Sequence, residues 1–247
     1  INGSGDSIYA GSGDDWVWAN ASDLTNDTVI DGGEGTDWLV FQQDGSGGIT
    51  YTINDNVAAN FENLLGTLSN DTLTGDSAAN EIRGNNGNDT VYGKAGNDIL
   101  YGDIDQNSSG WASSSGMVGD TGQYEWSYNS GSNDTTSRNG NDVLYGGTGN
   151  DTLYGGGGED TLDGGTGTDT LTGGDDSDTF VIREGDGGSS ISDADVLTDF
   201  SDTNDIIGMS GLNYSDLTIE QGTGSYSSHV IVKKTSSGEF LTIIQNQ

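Results

Sequence analysis

The sequence has no cysteine, no proline, one histidine, two methionines and six basic side chains among 247 residues. Without cysteine, neither a disulfide framework nor a thiolate metal site is open to it. With a single histidine as well, zinc centres, acyl-transfer triads and cysteine nucleophiles are excluded. The six basic side chains face 40 acidic ones, for a formal net charge of -34. Nucleic acid and anionic membrane surfaces are therefore excluded as partners, because every phosphate contact would be repulsive. Long apolar runs are missing too. No stretch is long enough to span a bilayer, and the opening INGSGDSIYAGSG has no signal-peptide pattern. The first residue is not methionine, and the chain is expected to be a segment of a longer protein.

What is present is glycine, 43 residues of it, in step with aspartate. The stretch GGTGNDTLYGGGGEDTLDGGTGTDTLTGG, Gly146 to Gly174, repeats every nine residues as Gly-Gly-x-Gly-x-Asp-x-(aliphatic)-x. Asp142, Asp151, Asp160, Asp169 and Asp178 keep this phase, each followed two places later by Leu144, Leu153, Leu162, Leu171 or Phe180. Upstream, Asp89 and Asp98 pair in the same way with Val91 and Leu100, and Asp71 with Leu73; Asn80 stands in for an aspartate before Ile82. A less regular block near the start holds Asp6, Asp15, Asp27 and Asp37, followed by Ile8, Val17, Val29 and Leu39. High charge with little hydrophobicity is the composition of a disordered chain. A disordered acidic tail has no reason to hold its aliphatic residues in phase with its aspartates.

Each residue type has a physical role at its position. Glycine lets carbonyl oxygens converge at a tight turn. Aspartate is short and acceptor-only, suited to a hard cation that takes six to eight oxygen ligands. The aliphatic residue points inward and stacks on its counterparts. One buried side chain for every nine ordered residues is a small core, and stacked aspartates repel. A divalent ion between turns reverses that repulsion, so the chain is expected to be unfolded without the ion and folded with it.

The nonapeptide resembles the calcium-binding repeat of RTX proteins. The resemblance implies an all-β fold, a parallel β-roll in which the glycine-rich half of each unit turns and the DTLYG-like half forms a short strand. Two units make one coil, so each calcium is shared between units i and i+2. On that basis Asp142 faces Asp160, Asp151 faces Asp169, and Asp160 faces Asp178. The implied metal ligands are Asp6, Asp15, Asp27, Asp37, Asp71, Asp89, Asp98, Asp142, Asp151, Asp160, Asp169 and Asp178, holding about eight to ten Ca2+ ions. The implied setting is the extracellular space or cell surface of a Gram-negative bacterium, reached through type I secretion machinery. Departures from the pattern fall at Asp176, on a glycine position, at Asn80, and at Asn2 and Ser4 in the first unit.

The expected organisation is a roll over residues 1–181, with repeat blocks 1–40, 67–103 and 139–181, a spacer 41–66 and an insertion 104–138. A β-strand C-terminal cap follows over 182–247. In the spacer, Ile49, Tyr51 and Ile53 alternate as in a strand that packs against the roll, with Phe61, Leu64 and Leu65 packing back. The cap, from DVLTDFSDTNDIIGMSGL through SHVIVKKT to EFLTIIQNQ, reads as antiparallel strands that cover the open end of the roll. Asp199, Asp202 and Asp205 there read as solvated turn or as one further calcium site. Gln247 falls inside what is expected to be a strand-rich tail.

The insertion places Tyr124, Trp126 and Tyr128 on one strand face, with Trp111 earlier. These rings either cover one side of the roll or form a candidate contact for a surface glycan or a peptide. Asp103, Asp105 and Asn107 mimic the start of an EF-hand loop, but Ser108 occupies its glycine position and no glutamate closes it, which leaves an irregular calcium site as the alternative to none. Acidic pairs suited to glycoside hydrolysis are everywhere, yet carboxylates committed to calcium are poor general acids. No active site is expected. The favoured reading is a non-catalytic module of a secreted adhesin. The alternatives are the accessory module of a secreted protease, lipase or alginate epimerase, and an ice-binding roll, for which Gly157 and Glu159 break the rank of threonines.

Overall fold

A computed structural model describes residues 5, 7–20, 24, 29–42, 47–54, 58–103 and 140–245. Beta-branched and aliphatic residues of each DTL-like half form short strands, and the glycines between them turn the chain into the next strand. From Thr72 to Ser210, successive strands alternate between two sheets. One sheet stacks Thr50–Thr52, Thr72–Thr74, Thr90–Ala95, Val143–Thr148, Thr161–Thr166, Thr179–Arg183 and Ile206–Ser210, all parallel. The other is 11-stranded. It runs in parallel from Trp16–Ala19 and Trp38–Phe41 through Thr170–Asp175 to Asp195–Leu197 and Phe240–Ile244. It then adds Val230–Lys234 and Leu217–Gln221 as antiparallel strands. A separate three-stranded parallel sheet holds Ser7–Ser12, Val29–Glu34 and Ala58–Ala59. This is the all-β parallel roll that the repeat implies.

Leu153 lies beside Leu171 and Leu144 beside Leu162, in each case one coil of 18 residues further on. Two nonapeptides therefore make one coil. Leu73, Val91, Leu144, Leu162 and Phe180 point inward from one sheet, and Leu64, Ile82, Leu100, Leu153, Leu171 and Leu197 from the other; all are fully buried. Each such side chain contributes about 1.5–3 kcal/mol by leaving water. Across residues 104–139 the same registry continues, with Val91 beside Leu144 and Leu100 beside Leu153. Neither stack has a gap there.

Three sequence expectations change. The spacer does not merely pack on the roll: Thr50–Thr52 and Asn63–Leu65 are strands of the two main sheets, with Ile49, Tyr51 and Ile53 buried. Near the start the inward residue is Ile30, fully buried, and Val29 is only half-buried, so the strand is shifted by one residue where the nine-residue spacing lapses. In the cap, Asp195–Leu197 and Ile206–Ser210 are parallel rather than antiparallel. The exposed edges of the last repeat strands, Thr170–Asp175 and Thr179–Arg183, already present parallel partners, and the chain continues them. Apart from an isolated antiparallel bridge between Gly188 and Phe240, the antiparallel strands of the cap begin at Leu217.

Candidate metal centres

The turns fold tightly because the glycines permit it. Gly156 and Gly158 have φ of +117° and +118°, backbone that a side chain disfavours. Asp176, which replaces a glycine, keeps the turn by adopting φ +79° itself, as the short polar side chains tolerate best.

On this backbone the aspartates form two columns. The Asp142 N–H donates to Asp160 Oδ1 (2.8 Å), and the Asp160 N–H to Asp178 Oδ1 (3.0 Å). Asp71 N–H donates to Asp89 Oδ1 (2.8 Å) and Asp89 N–H to Asp142 Oδ1 (2.6 Å) in the same column. In the other, Asp98 N–H donates to Asp151 Oδ1 (2.7 Å) and Asp151 N–H to Asp169 Oδ1 (2.8 Å). Asp15 N–H reaches Asp37 Oδ1 (2.8 Å) in the first block. The structure thus brings together the pairs Asp142 with Asp160, Asp151 with Asp169, and Asp160 with Asp178. Asp6 and Asp27, and the aromatic candidates Trp111, Tyr124, Trp126 and Tyr128, lie outside the described residues.

One oxygen of each aspartate holds the ladder; the second is the informative one. Oδ2 of Asp15, Asp37, Asp89, Asp98, Asp142, Asp151, Asp160 and Asp169 is buried and accepts no hydrogen bond. Except at Asp15, where Ala10 holds that position, each sits at the first glycine of its own repeat. A β-carbon on Gly146 would overlap Asp151 Oδ2 and the Gly164 carbonyl, and one on Gly155 would overlap Asp160 Oδ2 and the Gly173 carbonyl. Carboxylate and carbonyl oxygens therefore crowd the same space with no donor among them. A buried acceptor without a donor is costly, and a buried charge more so.

The electrostatics record that cost. Burial pushes the Asp142 carboxyl up to about 9, with the Asp89, Asp160 and Asp103 charges adding to it. Burial likewise raises Asp89 to about 8, Asp160 and Asp169 to about 7, and Asp98 to about 6. Asp178 rises to about 7 for the same first reason, with Asp160, Asp205 and Asp199 contributing. Asp71 is raised by burial too, but it is the exception in its contacts. Its Oδ2 accepts from Thr67 N–H (2.5 Å), and its Oδ1 from Ile49 N–H (2.7 Å) and the Thr67 hydroxyl (2.9 Å). The chain itself satisfies that carboxylate.

Among the described residues, no three or more histidine, cysteine or acidic side chains stand close enough to hold a metal by side chains alone. A cation at these turns must therefore combine one or two carboxylates with backbone carbonyls. That donor set is all oxygen, as a hard cation requires.

Asp195 and the asparagines before the repeat aspartates escaped the sequence reading, and Asp205, read there as solvated turn or one further calcium site, accepts a backbone N–H as the repeat aspartates do. Asp195 and Asp205 continue the columns into the cap, accepting from Asp169 N–H (2.9 Å) and Asp178 N–H (3.0 Å). Asp195 lies 26 residues from the preceding rung, one short of the phase, whereas Asp205 lies 27 residues on and keeps it, and each is followed two places later by an aliphatic residue, Leu197 or Ile207. The asparagine before the repeat aspartate forms a second ladder at the surface. Asn150 Oδ1 accepts from Thr168 N–H (3.0 Å) and Asn97 Oδ1 from Asn150 N–H (2.9 Å). The recurrent Asn-Asp pair was its signal.

The family model for the RTX calcium-binding nonapeptide repeat matches the chain over residues 2–23, 65–100, 74–107, 136–171 and 154–187. No curated protein matches the chain.

Proposed function

The chain is an RTX calcium-binding repeat protein, and from that premise we propose that it is the calcium-folded, non-catalytic module of a large secreted adhesin. The observation that supports this most is the column of buried Oδ2 atoms without donors, repeated at Asp89, Asp98, Asp142, Asp151, Asp160 and Asp169. Bound calcium supplies these turns with positive charge and a demand for oxygen ligands. Without it, the same carboxylates repel one another along each column and oppose closure of the coils. The glycines leave the unfolded chain especially free, which adds to the cost of ordering it.

Extracellular calcium modules work at roughly 10⁻⁴–10⁻³ M, far above cytosolic levels. The chain would therefore stay extended in the producing cell, pass a type I secretion channel unfolded, and fold outside. A surface role as an adhesin is supported by the acidic, uncomplicated roll and by the aromatic-rich insertion, a candidate contact for a glycan or peptide. Absence of catalysis is supported by His229, the only histidine, which lies in the cap beside Tyr226 rather than near any aspartate column.

The test is a calcium titration of the chelated chain followed by circular dichroism and small-angle scattering. Coil should convert cooperatively to a compact β signal at millimolar calcium, and magnesium should not replace it, because Mg2+ demands near-ideal octahedral geometry. A compact β signal under full chelation at neutral pH would sink the proposal.

A further inference from the structure

Leu217–Gln221 is the last strand of the 11-stranded sheet, and no described strand lies beyond it. On its inner side it pairs antiparallel with Val230–Lys234, from Leu217 beside Lys234 to Gln221 beside Val230, without a bulge. Gly222 N–H donates to the His229 carbonyl (2.9 Å), and Thr235 N–H to the Asp216 carbonyl (2.8 Å). Backbone groups alternate sides along a strand, so those of Thr218 and Glu220 also face Val230–Lys234. The carbonyls of Leu217, Ile219 and Gln221 face outward, as do the N–H groups of Ile219 and Gln221. The Leu217 N–H is taken by the Tyr214 carbonyl.

A bare sheet edge is a template for another chain, and soluble proteins block it with proline, lysine or a bulge. This strand has none of the three. Ile219 is 51% exposed on it, and Tyr214, just before it, 72%. Its one charge is Glu220, which Lys233 pairs from the neighbouring strand. Charge decides what can add here. The chain carries -34, so a second copy or an acidic segment is repelled at long range, and a basic segment is attracted. Asp216 and Glu220 set carboxylates near the two ends of the edge. Side chains alternate between faces, with Ile219 on one and Thr218 and Glu220 on the other. An added strand of alternating apolar and basic residues would lay the apolar ones beside Ile219 and the basic ones beside Glu220.

We propose that the open edge of Leu217–Gln221 is a docking site for an extended, lysine- or arginine-rich segment of a partner protein, which joins the sheet as one more antiparallel strand. The site goes beyond the calcium-dependent folding of the roll and uses none of the roll's carboxylates.

The experiment uses the full chain in millimolar calcium and a fluorescent peptide of alternating lysine and valine, read by anisotropy and by hydrogen exchange. Binding should be saturable, and a peptide of alternating glutamate and valine should not bind. In an antiparallel strand the valines that lie beside Ile219 turn their amides to the edge. N-methylation of the valine amides should therefore weaken binding roughly tenfold or more, and N-methylation of the lysine amides should not. Ile219→Pro removes one outward N–H and leaves the pairing with Val230–Lys234 in place. It should weaken binding roughly tenfold as well. If that variant does not fold, exchange in the wild type carries the same test: added peptide should slow the amides of Ile219 and Gln221 and leave those of Thr218 and Glu220 unchanged. No saturable binding would overturn the inference. Equal affinity for the two N-methylated peptides would show a diffuse attraction between charges and overturn it too. So would a dimer in sedimentation that Ile219→Pro abolishes, which would make a second copy the occupant.

Discussion

Asp142 in the roll and Asp216 in the cap carry the same side chain with opposite electrostatic outcomes. Asp142 is buried among other carboxylates, and its carboxyl is pushed up to about 9. Asp216 is only half-buried, accepts from the Asn213 backbone N–H (2.9 Å) and side chain (3.0 Å), and is held below its ordinary value chiefly by those bonds. The same contrast runs through both regions. Charges of the cap meet partners within the chain, as in the Lys233–Glu220 and Lys234–Glu184 pairs. Its small apolar cluster of Ala194, Ile231 and Ile243 is assembled from several elements. The regular coils instead bury one aliphatic residue per strand and leave the balance of their charge to something outside the chain. The cap is built to be stable with what it contains, and the roll is not.

The sharpest way to break this comparison is chelation at pH 7 with hydrogen exchange read strand by strand. Protection of Val143–Thr148 and Thr161–Thr166 should collapse to that of an unfolded chain, while Leu217–Gln221 and Val230–Lys234 should lose much less. Equal loss would show that the cap depends on the ion as fully as the roll does.

Acid should partly replace the ion, and in opposite directions in the two regions. A carboxyl whose folded value is raised stabilises the folded chain below its unfolded value, near 3.8, and loses that contribution as pH rises through the folded value. For the metal-free roll the loss begins near 3.8 and is complete by about 6 for Asp98 and about 9 for Asp142. The chelated chain should therefore gain β signal as pH falls below 4 and lose it on return to pH 9. Asp216 has the reverse sign: its contribution is present above 3.8 and lost as pH falls through its lowered folded value. A metal-free chain that is equally unfolded at pH 3.5 and pH 9 would remove the buried-carboxylate account.

Smaller effects sharpen the same contrast. With calcium bound, Leu162→Ala should cost about 2–5 kcal/mol in urea unfolding, because its side chain is fully buried between the sheets. Ile219→Ala, on a half-exposed cap position, should stay within about 0.5 kcal/mol. Replacing Asp151 and Asp160 with Ala should raise the calcium midpoint several-fold, whereas Asp216→Ala should not move it. Equal shifts would separate the columns from metal binding.

Much of this was legible in the residues. Leu144, Leu153, Leu162 and Leu171 announce an inward column because a fixed offset from aspartate leaves each at the same point of a turn. The pairing of Asp142 with Asp160 follows from two repeats per coil. Where the period lapses, so does legibility. The offset from Asp27 points Val29 inward, and Ile30 takes that place, because one added residue in a strand exchanges its two faces. Asp195 joins the columns at a spacing of 26 residues, which the period does not encode. Asp71 has the same place in its repeat as Asp89, yet Thr67 satisfies it with hydrogen bonds.

The sequence alone determined that this protein stacks short strands between glycine turns, with an acidic residue at each turn, since a nine-residue phase admits few other foldings. Only the tertiary structure decided which carboxylate oxygens are left without a donor, how the columns pass into the cap, and that Asp103 accepts from Gly140 N–H across the insertion and from Gly157 N–H of the next coil. Those outcomes depend on which coils lie side by side. Hydrogen bonds and charge act over a few ångströms in space, and residues 103 and 157 become neighbours only when the coils close.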